Sequence, residues 1–266
     1  MGSVVVKFLV AICCGLAACN PAKPPGPPSK IHGAAGIADA ALTAVDAGVA
    51  KPDAAVPAQS IKIVDWPIAW PAQRDALMLQ YRRAHNDPAA QDLTIVPRII
   101  VLHYTAGGSA KATKGYFDNL TIEPSRKQLY AAGKVNVSSH FLVDLDGTIY
   151  RLMPETKMAR HCIGLNHNAI GIENVGDEVR TKLTQAQVVA NIALVRYLAA
   201  AHPTITHILG HYEVMKFTKD RLFVELDPTF RNDKPDPGPR FLALVRAGLH
   251  DLELRGLPAD DNSVSP

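Results

Sequence analysis

The chain has 266 residues, 47% of them hydrophobic, and its 28 Lys and Arg against 25 Asp and Glu leave a net charge of +3. That is enough apolar material for one well-buried domain. The charge is too small and too evenly mixed for the basic face of a nucleic-acid binder, so no nucleic-acid partner is expected. Three of the 4 cysteines (Cys13, Cys14 and Cys19) fall near the start. Cys162 is left alone in the body of the chain, where it supports no disulfide framework and reads as a small, semi-buried hydrophobe.

Val4 to Ala18 is an apolar run broken only by Lys7, too short and wrongly flanked for a membrane span. With the amino terminus and Lys7 supplying positive charge, residues 1–18 read as a secretory signal. The run ends in Leu16-Ala17-Ala18-Cys19, which resembles the lipobox of bacterial lipoproteins. The resemblance implies cleavage before Cys19 and acylation of that residue, palmitate included. Uncharged Asn20 gives no sign of retention at the inner membrane. The expectation is a cell-envelope protein, lipid-anchored in the outer membrane and facing the periplasm. The myristoylation pattern is not met, because position 6 is Val.

Residues 19–60 are rich in Pro, Ala and Gly, and the opening Pro21 to Pro28 stretch favours extended chain, since proline fixes φ and lacks a donor. The segment reads as a disordered tether, residues 61–257 as the folded domain, and residues 258–266 as a disordered tail. Within the domain, Trp70 to His85 has helical periodicity, and Thr94 to His103 is a β-branched run that predicts a buried strand. Thr105 to Ser109 is a turn, with Ser109 placed to cap a helix through Tyr116. Ser139 to Leu152 predicts a hairpin about Asp144-Leu-Asp-Gly147, and Ala169 to Val175 a further strand. Thr184 and Gln187 form a capping-box pattern opening a helix to about Ala201. Ile205 to Leu209 predicts another strand, and Pro239 to Leu254 a closing helix. Strands and helices mix along the chain, so the fold class is α/β or α+β, with one central mixed sheet flanked by helices.

Three residues able to hold zinc stand where strands meet loops. His103 ends the run Ile99-Ile-Val-Leu102, His211 follows Ile208-Leu-Gly210, and Asp236 lies in the loop Lys234-Pro-Asp-Pro-Gly-Pro239. Two imidazoles and one carboxylate leave a fourth tetrahedral position open, the pattern of catalytic rather than structural zinc. Glu173 ends another apolar run, Ala169-Ile-Gly-Ile172, where a carboxylate is costly unless paired or near a metal.

Taken together, these segments resemble the type-2 N-acetylmuramoyl-L-alanine amidases, relatives of the peptidoglycan recognition proteins. The resemblance runs from about Arg98 to Phe241 and rests on ordered blocks: Ile100-Val-Leu-His-Tyr-Thr-Ala106, Val137-Ser-Ser-His-Phe-Leu-Val143 with Asp146-Gly-Thr148, Asn166-His-Asn-Ala-Ile-Gly-Ile-Glu173, Leu209-Gly-His211 and Lys234-Pro-Asp-Pro-Gly238. It implies a zinc hydrolase acting on the amide between N-acetylmuramic acid and L-alanine in peptidoglycan or muropeptides. His103, His211 and Asp236 match the zinc ligands, Glu173 the general base and Lys234 the residue that steadies the oxyanion. Asp227, in a second Asp-Pro pair, competes for the third ligand position. Asp236 is preferred because Lys234 and Pro237-Gly-Pro239 complete the family block around it.

Ser139 departs from relatives that carry tyrosine just before the histidine equivalent to His140, which puts more weight on Glu173. His140 is expected to order the site by hydrogen bonding, His161 to touch substrate, and Asn166 and His167 to line the substrate groove. The segment 212–233 is longer than in compact relatives and is expected to flank the cleft. A monomer is expected. The rivals are a non-cutting recognition domain of the same fold and a zinc peptidase acting within the stem peptide.

Overall fold

The computed structural model describes residues 61–257; the expected signal, tether and tail, and with them Cys19, lie outside the described residues. Six strands form one mixed sheet: β1 (Ile63–Asp65), β2 (Ile99–Tyr104), β3 (Phe141–Val143), β4 (Ile149–Arg151), β5 (Ala169–Asn174) and β6 (His207–Gly210), in the order β1-β4-β3-β5-β2-β6. β5 and β6 flank β2 in parallel, while β3 and β4 make the antiparallel hairpin. Among the described residues, five α-helices accompany it: α1 (Ala72–His85), α2 (Ala110–Asp118), α3 (Lys127–Ala131), α4 (Gln185–Ala201) and α5 (Pro239–Ala247). This is the mixed, helix-flanked sheet that the sequence predicts.

β2 lies at the heart of the sheet because Ile99, Ile100, Val101 and Leu102 are all fully buried, as a parallel strand covered on both faces requires. Side chains alternate across a strand, so the run divides. Ile100 and Leu102 join Ile170, Ile172 and Ile208 under α4 and α5, against Leu194, Leu198 and Val245. Ile99 and Val101 join Ala169 and Leu209 on the opposite face, against Leu165, Val214 and Phe217. α4 is anchored by the expected capping box, in which Thr184 accepts from the Gln187 backbone and Gln187 accepts from the Thr184 backbone.

Several elements differ from the sequence reading, each for a local reason. The Thr94 to His103 run is strand only from Ile99; Pro97 lacks an amide for the ladder, and Thr94 instead makes an isolated bridge to Lys157. The closing helix stops at Ala247, where Gly248 follows as C-cap, and only a 3-10 turn (His250–Leu252) continues. β1 and α3, of 3 and 5 residues, carry too little periodicity to read from sequence.

Segment 212–233 packs inward. It starts as a 3-10 helix (His211–Lys216), buries Phe217 under the sheet, and reaches α1 through Leu226 N–H donating to the His85 carbonyl. Glu225 Oε1 lies 2.7 Å from His85 Nδ1, with the Glu225 carboxyl fully buried. Phe230 completes the cluster holding Met78 and Tyr81 of α1.

Candidate metal centre at the sheet edge

The alternation that divides the core also builds the site. His103 has the parity of Ile99 and Val101, and His211 has the parity of Leu209, so both imidazoles leave the C-terminal edge of the sheet on the face opposite α4 and α5. Glu173 is the register partner of His103 on β5 and emerges on the same face. Asp236 arrives from the loop before α5, and its carbonyl accepts from the Tyr212 backbone at 2.9 Å, which ties that loop to the turn after β6.

Three donor atoms converge there. His103 Nδ1 lies 2.9 Å from His211 Nδ1, and each of these nitrogens lies 3.1 Å from Asp236 Oδ2. A tetrahedral ion with ligands at about 2.0–2.1 Å has ligand–ligand edges of about 3.3 Å. The observed triangle approaches that size, from residues 103, 211 and 236 that are scattered along the chain. Two imidazoles and one carboxylate fit a zinc ion of the open, catalytic kind.

Electrostatics prepare the donors. Burial, with His211 beside it, lowers the His103 pKa to about 4, so its imidazole is neutral at physiological pH, as a ligand must be. Burial pushes the Asp236 carboxyl up, but the two imidazoles that face it outweigh this and hold the group well below the usual carboxylate range. Glu173 behaves in the opposite way. Burial first, then the Asp236 carboxylate, raise it to about 8 against the opposing pull of Lys234 and Arg126. Its Oε2 is buried without a hydrogen-bond partner, a costly state for an oxygen that has no ligand or proton to meet. The ammonium of Lys234 is felt by both His103 and Glu173.

The structure thus brings His103, His211 and Asp236 together, with Glu173 and Lys234 nearby. Asp227 is not part of the group; its Oδ1 accepts from the backbone and hydroxyl of Thr229 at 2.8 and 2.6 Å. His140 is a scaffold, its Nδ1 accepting from Gly171 N–H and its Nε2 facing the Lys157 carbonyl. Two of the expected substrate-binding residues, Asn166 and His161, are engaged inside the protein. Asn166 is 1% exposed, and its Oδ1 accepts from the backbones of His161 and Cys162 at 2.8 Å, so the amide is spent inside the protein. His161 has both ring nitrogens engaged, with His103 Nε2 at 3.0 Å and the Ala169 carbonyl at 3.3 Å. His167 is half-buried; burial, then the charge of Arg82, lower it to about 4. Cys162 is 3% exposed in the sheet's second core cluster, and burial pushes its thiol well above the ordinary value. Sequence reasoning missed the contact of His161 with His103 because the two residues are 58 apart in the chain.

Residues 93–239 match the model of the N-acetylmuramoyl-L-alanine amidase family. No curated protein matches the chain. Among solved structures, the N-acetylmuramoyl-L-alanine amidase LysC from Clostridium intestinale is 24% identical, with 74% of this chain and 100% of that one covered and a TM-score of 0.43. A selenomethionine derivative of AmpD is 26% identical over 57% of this chain and 84% of its own, with a TM-score of 0.41. The Drosophila peptidoglycan recognition protein SD is 20% identical over 46% of this chain and 72% of its own, with a TM-score of 0.35. The matched span takes in all three converging donors together with Glu173 and Lys234, and the chain belongs to the type-2 N-acetylmuramoyl-L-alanine amidase family.

Proposed function

We propose that the protein is a zinc-dependent amidase that hydrolyses the bond between N-acetylmuramic acid and L-alanine in peptidoglycan or its fragments. The observation that carries this reading is the triangle of His103 Nδ1, His211 Nδ1 and Asp236 Oδ2, with edges of 2.9 to 3.1 Å, beside the half-buried Glu173 carboxyl of raised pKa. Zinc held by these residues would supply Lewis acidity toward the scissile carbonyl and toward water.

The chain's own residues then divide the remaining work. Glu173, the register partner of His103 with an unpartnered Oε2, is placed to take a proton from the attacking water and return it to the leaving amine nitrogen. Lys234 sets a positive charge beside the site, suited to the negative charge that develops on the carbonyl oxygen. Ser139 is fully buried with an unpartnered Oγ, so this slot presents no phenol, and proton transfer falls to Glu173.

The Leu16-Ala17-Ala18-Cys19 sequence supports a further part of the proposal, a lipid anchor at Cys19 holding the enzyme in the outer membrane toward the periplasm. One digest tests the activity. Purified peptidoglycan is treated with the protein, with and without a chelator, and the products are read by mass spectrometry. Stem peptides beginning with L-alanine are expected, and chelation should abolish them. Peptides cut internally would point to a peptidase, and an intact polymer to a recognition domain; either result overturns the proposal.

A further inference from the structure

His103 has two ring nitrogens, and something must decide which of them holds the hydrogen and which is free to ligate. Nδ1 faces His211 and Asp236, while Nε2 lies 3.0 Å from His161 Nδ1. His161 in turn directs Nε2 at the Ala169 carbonyl, 3.3 Å away. A carbonyl oxygen only accepts, so the hydrogen of His161 sits on Nε2 and, in a neutral ring, its Nδ1 is a bare acceptor. That acceptor is satisfied only if His103 Nε2 carries the hydrogen, and His103 Nδ1 is then left as a lone pair aimed at the other two donors. A doubly protonated His161 would reverse the order, but it would be a buried cation. No carboxylate lies within ion-pair distance of it among the described residues.

We propose that His161 is a positioning residue that fixes the tautomer of His103 and thereby makes it a metal ligand. The hydrogen-bond direction begins at the backbone of β5 and is passed through two imidazoles to the site. Outer partners of metal-bound histidines are most often carboxylates, carbonyls or water; here a neutral imidazole takes that place. Two further features hold the ring. Asn166 Oδ1 pins the His161 and Cys162 amides at 2.8 Å. Gly171 leaves the room the ring occupies, since a Cβ there would come within 2.7 Å of His161 Cγ. With the tautomer set, His103 Nδ1 and Asp236 Oδ2 face each other at 3.1 Å as two acceptors, an arrangement that a cation between them resolves.

The consequence for metal binding rests on the zinc reading above, but the tautomer is a property of the metal-free protein, so the two can fail separately. Long-range proton–nitrogen spectra of the nitrogen-15-labelled, metal-free protein read the tautomer, and competition with a chromophoric chelator reads zinc affinity. His103 is expected as the Nε2–H tautomer; finding it as Nδ1–H in the wild type overturns the proposal with no variant needed. His161→Phe removes the acceptor, and should shift His103 toward Nδ1–H and weaken zinc binding by roughly 10- to 100-fold. His161→Asn keeps an acceptor and a donor, and should restore both readouts. Equal tautomer and affinity in wild type and His161→Phe would also overturn it. A wild type that binds no zinc at all would sink the metal reading instead, while leaving the tautomer result to stand alone.

Discussion

Replacing Glu173 with glutamine in the metal-free protein isolates the electrostatic cost of the site. Glu173 Oε2 is buried without a partner, and burial with the Asp236 carboxylate beside it moves its pKa from 4.5 to about 8. The folded state therefore favours the protonated form. Stability is unpenalised below pH 4.5, falls as pH rises through the interval, and levels off above about pH 8. At about 1.4 kcal/mol per pH unit, a fully dry carboxylate would cost about 5 kcal/mol at the plateau. Glu173 keeps part of its surface in contact with solvent, and screening there brings the expectation to about 2–3 kcal/mol. Urea unfolding of chelator-treated wild type and Glu173→Gln, measured across pH 4 to 9, gives the difference curve. The wild type should fall progressively behind the variant between the two pKa values, and added zinc should narrow the gap by placing a cation beside the anion. A difference that stays flat with pH would refute the reasoning.

Other expectations follow from contacts described above. Asp236→Asn should lose most zinc affinity, whereas Asp227→Asn should keep it, because Asp227 is spent on Thr229; equal losses in a chelator competition would contradict the ligand assignment. Gly171→Ala should weaken zinc binding without touching a ligand, since the new Cβ would meet His161 Cγ at 2.7 Å and Ser139 Oγ at 2.8 Å. Unaltered affinity in that variant would show that the ring yields freely. Phe217→Ala deletes a fully buried ring beneath the sheet and should cost about 3–5 kcal/mol of unfolding free energy in a denaturant titration. A loss below about 1 kcal/mol would mean that segment 212–233 is not part of the cooperative core.

The sheet edge was legible in the sequence because the ends of apolar runs are local signals. Ile99 to Leu102 and Ile208 to Gly210 each deliver a histidine at a strand end, and period-two alternation puts both on one face. The capping box at Thr184 and the turn at Asp144 to Gly147 were equally local. What stayed hidden depends on contacts between distant residues. The engagement of His161, the burial of Asn166 against the 161–162 backbone, and the inward packing of Phe217 all require the fold to be known first. Pro97 and Gly248 did mark the true limits of β2 and α5, but the apolar pattern running past them outweighed those signals.

The three donors are not equally held. His103 leaves a central strand whose carbonyl at that residue accepts from Asn174 Nδ2, itself joined to Asn191 of α4, and His211 begins directly where β6 ends. Asp236 rides on a loop fastened near the site through its carbonyl bond to Tyr212. On the proposed zinc reading, release should therefore follow a latch in which the carboxylate arm swings away first while the two imidazoles stay put, so substitutions that loosen residues 234–238 should hasten metal departure far more than they lower the melting temperature.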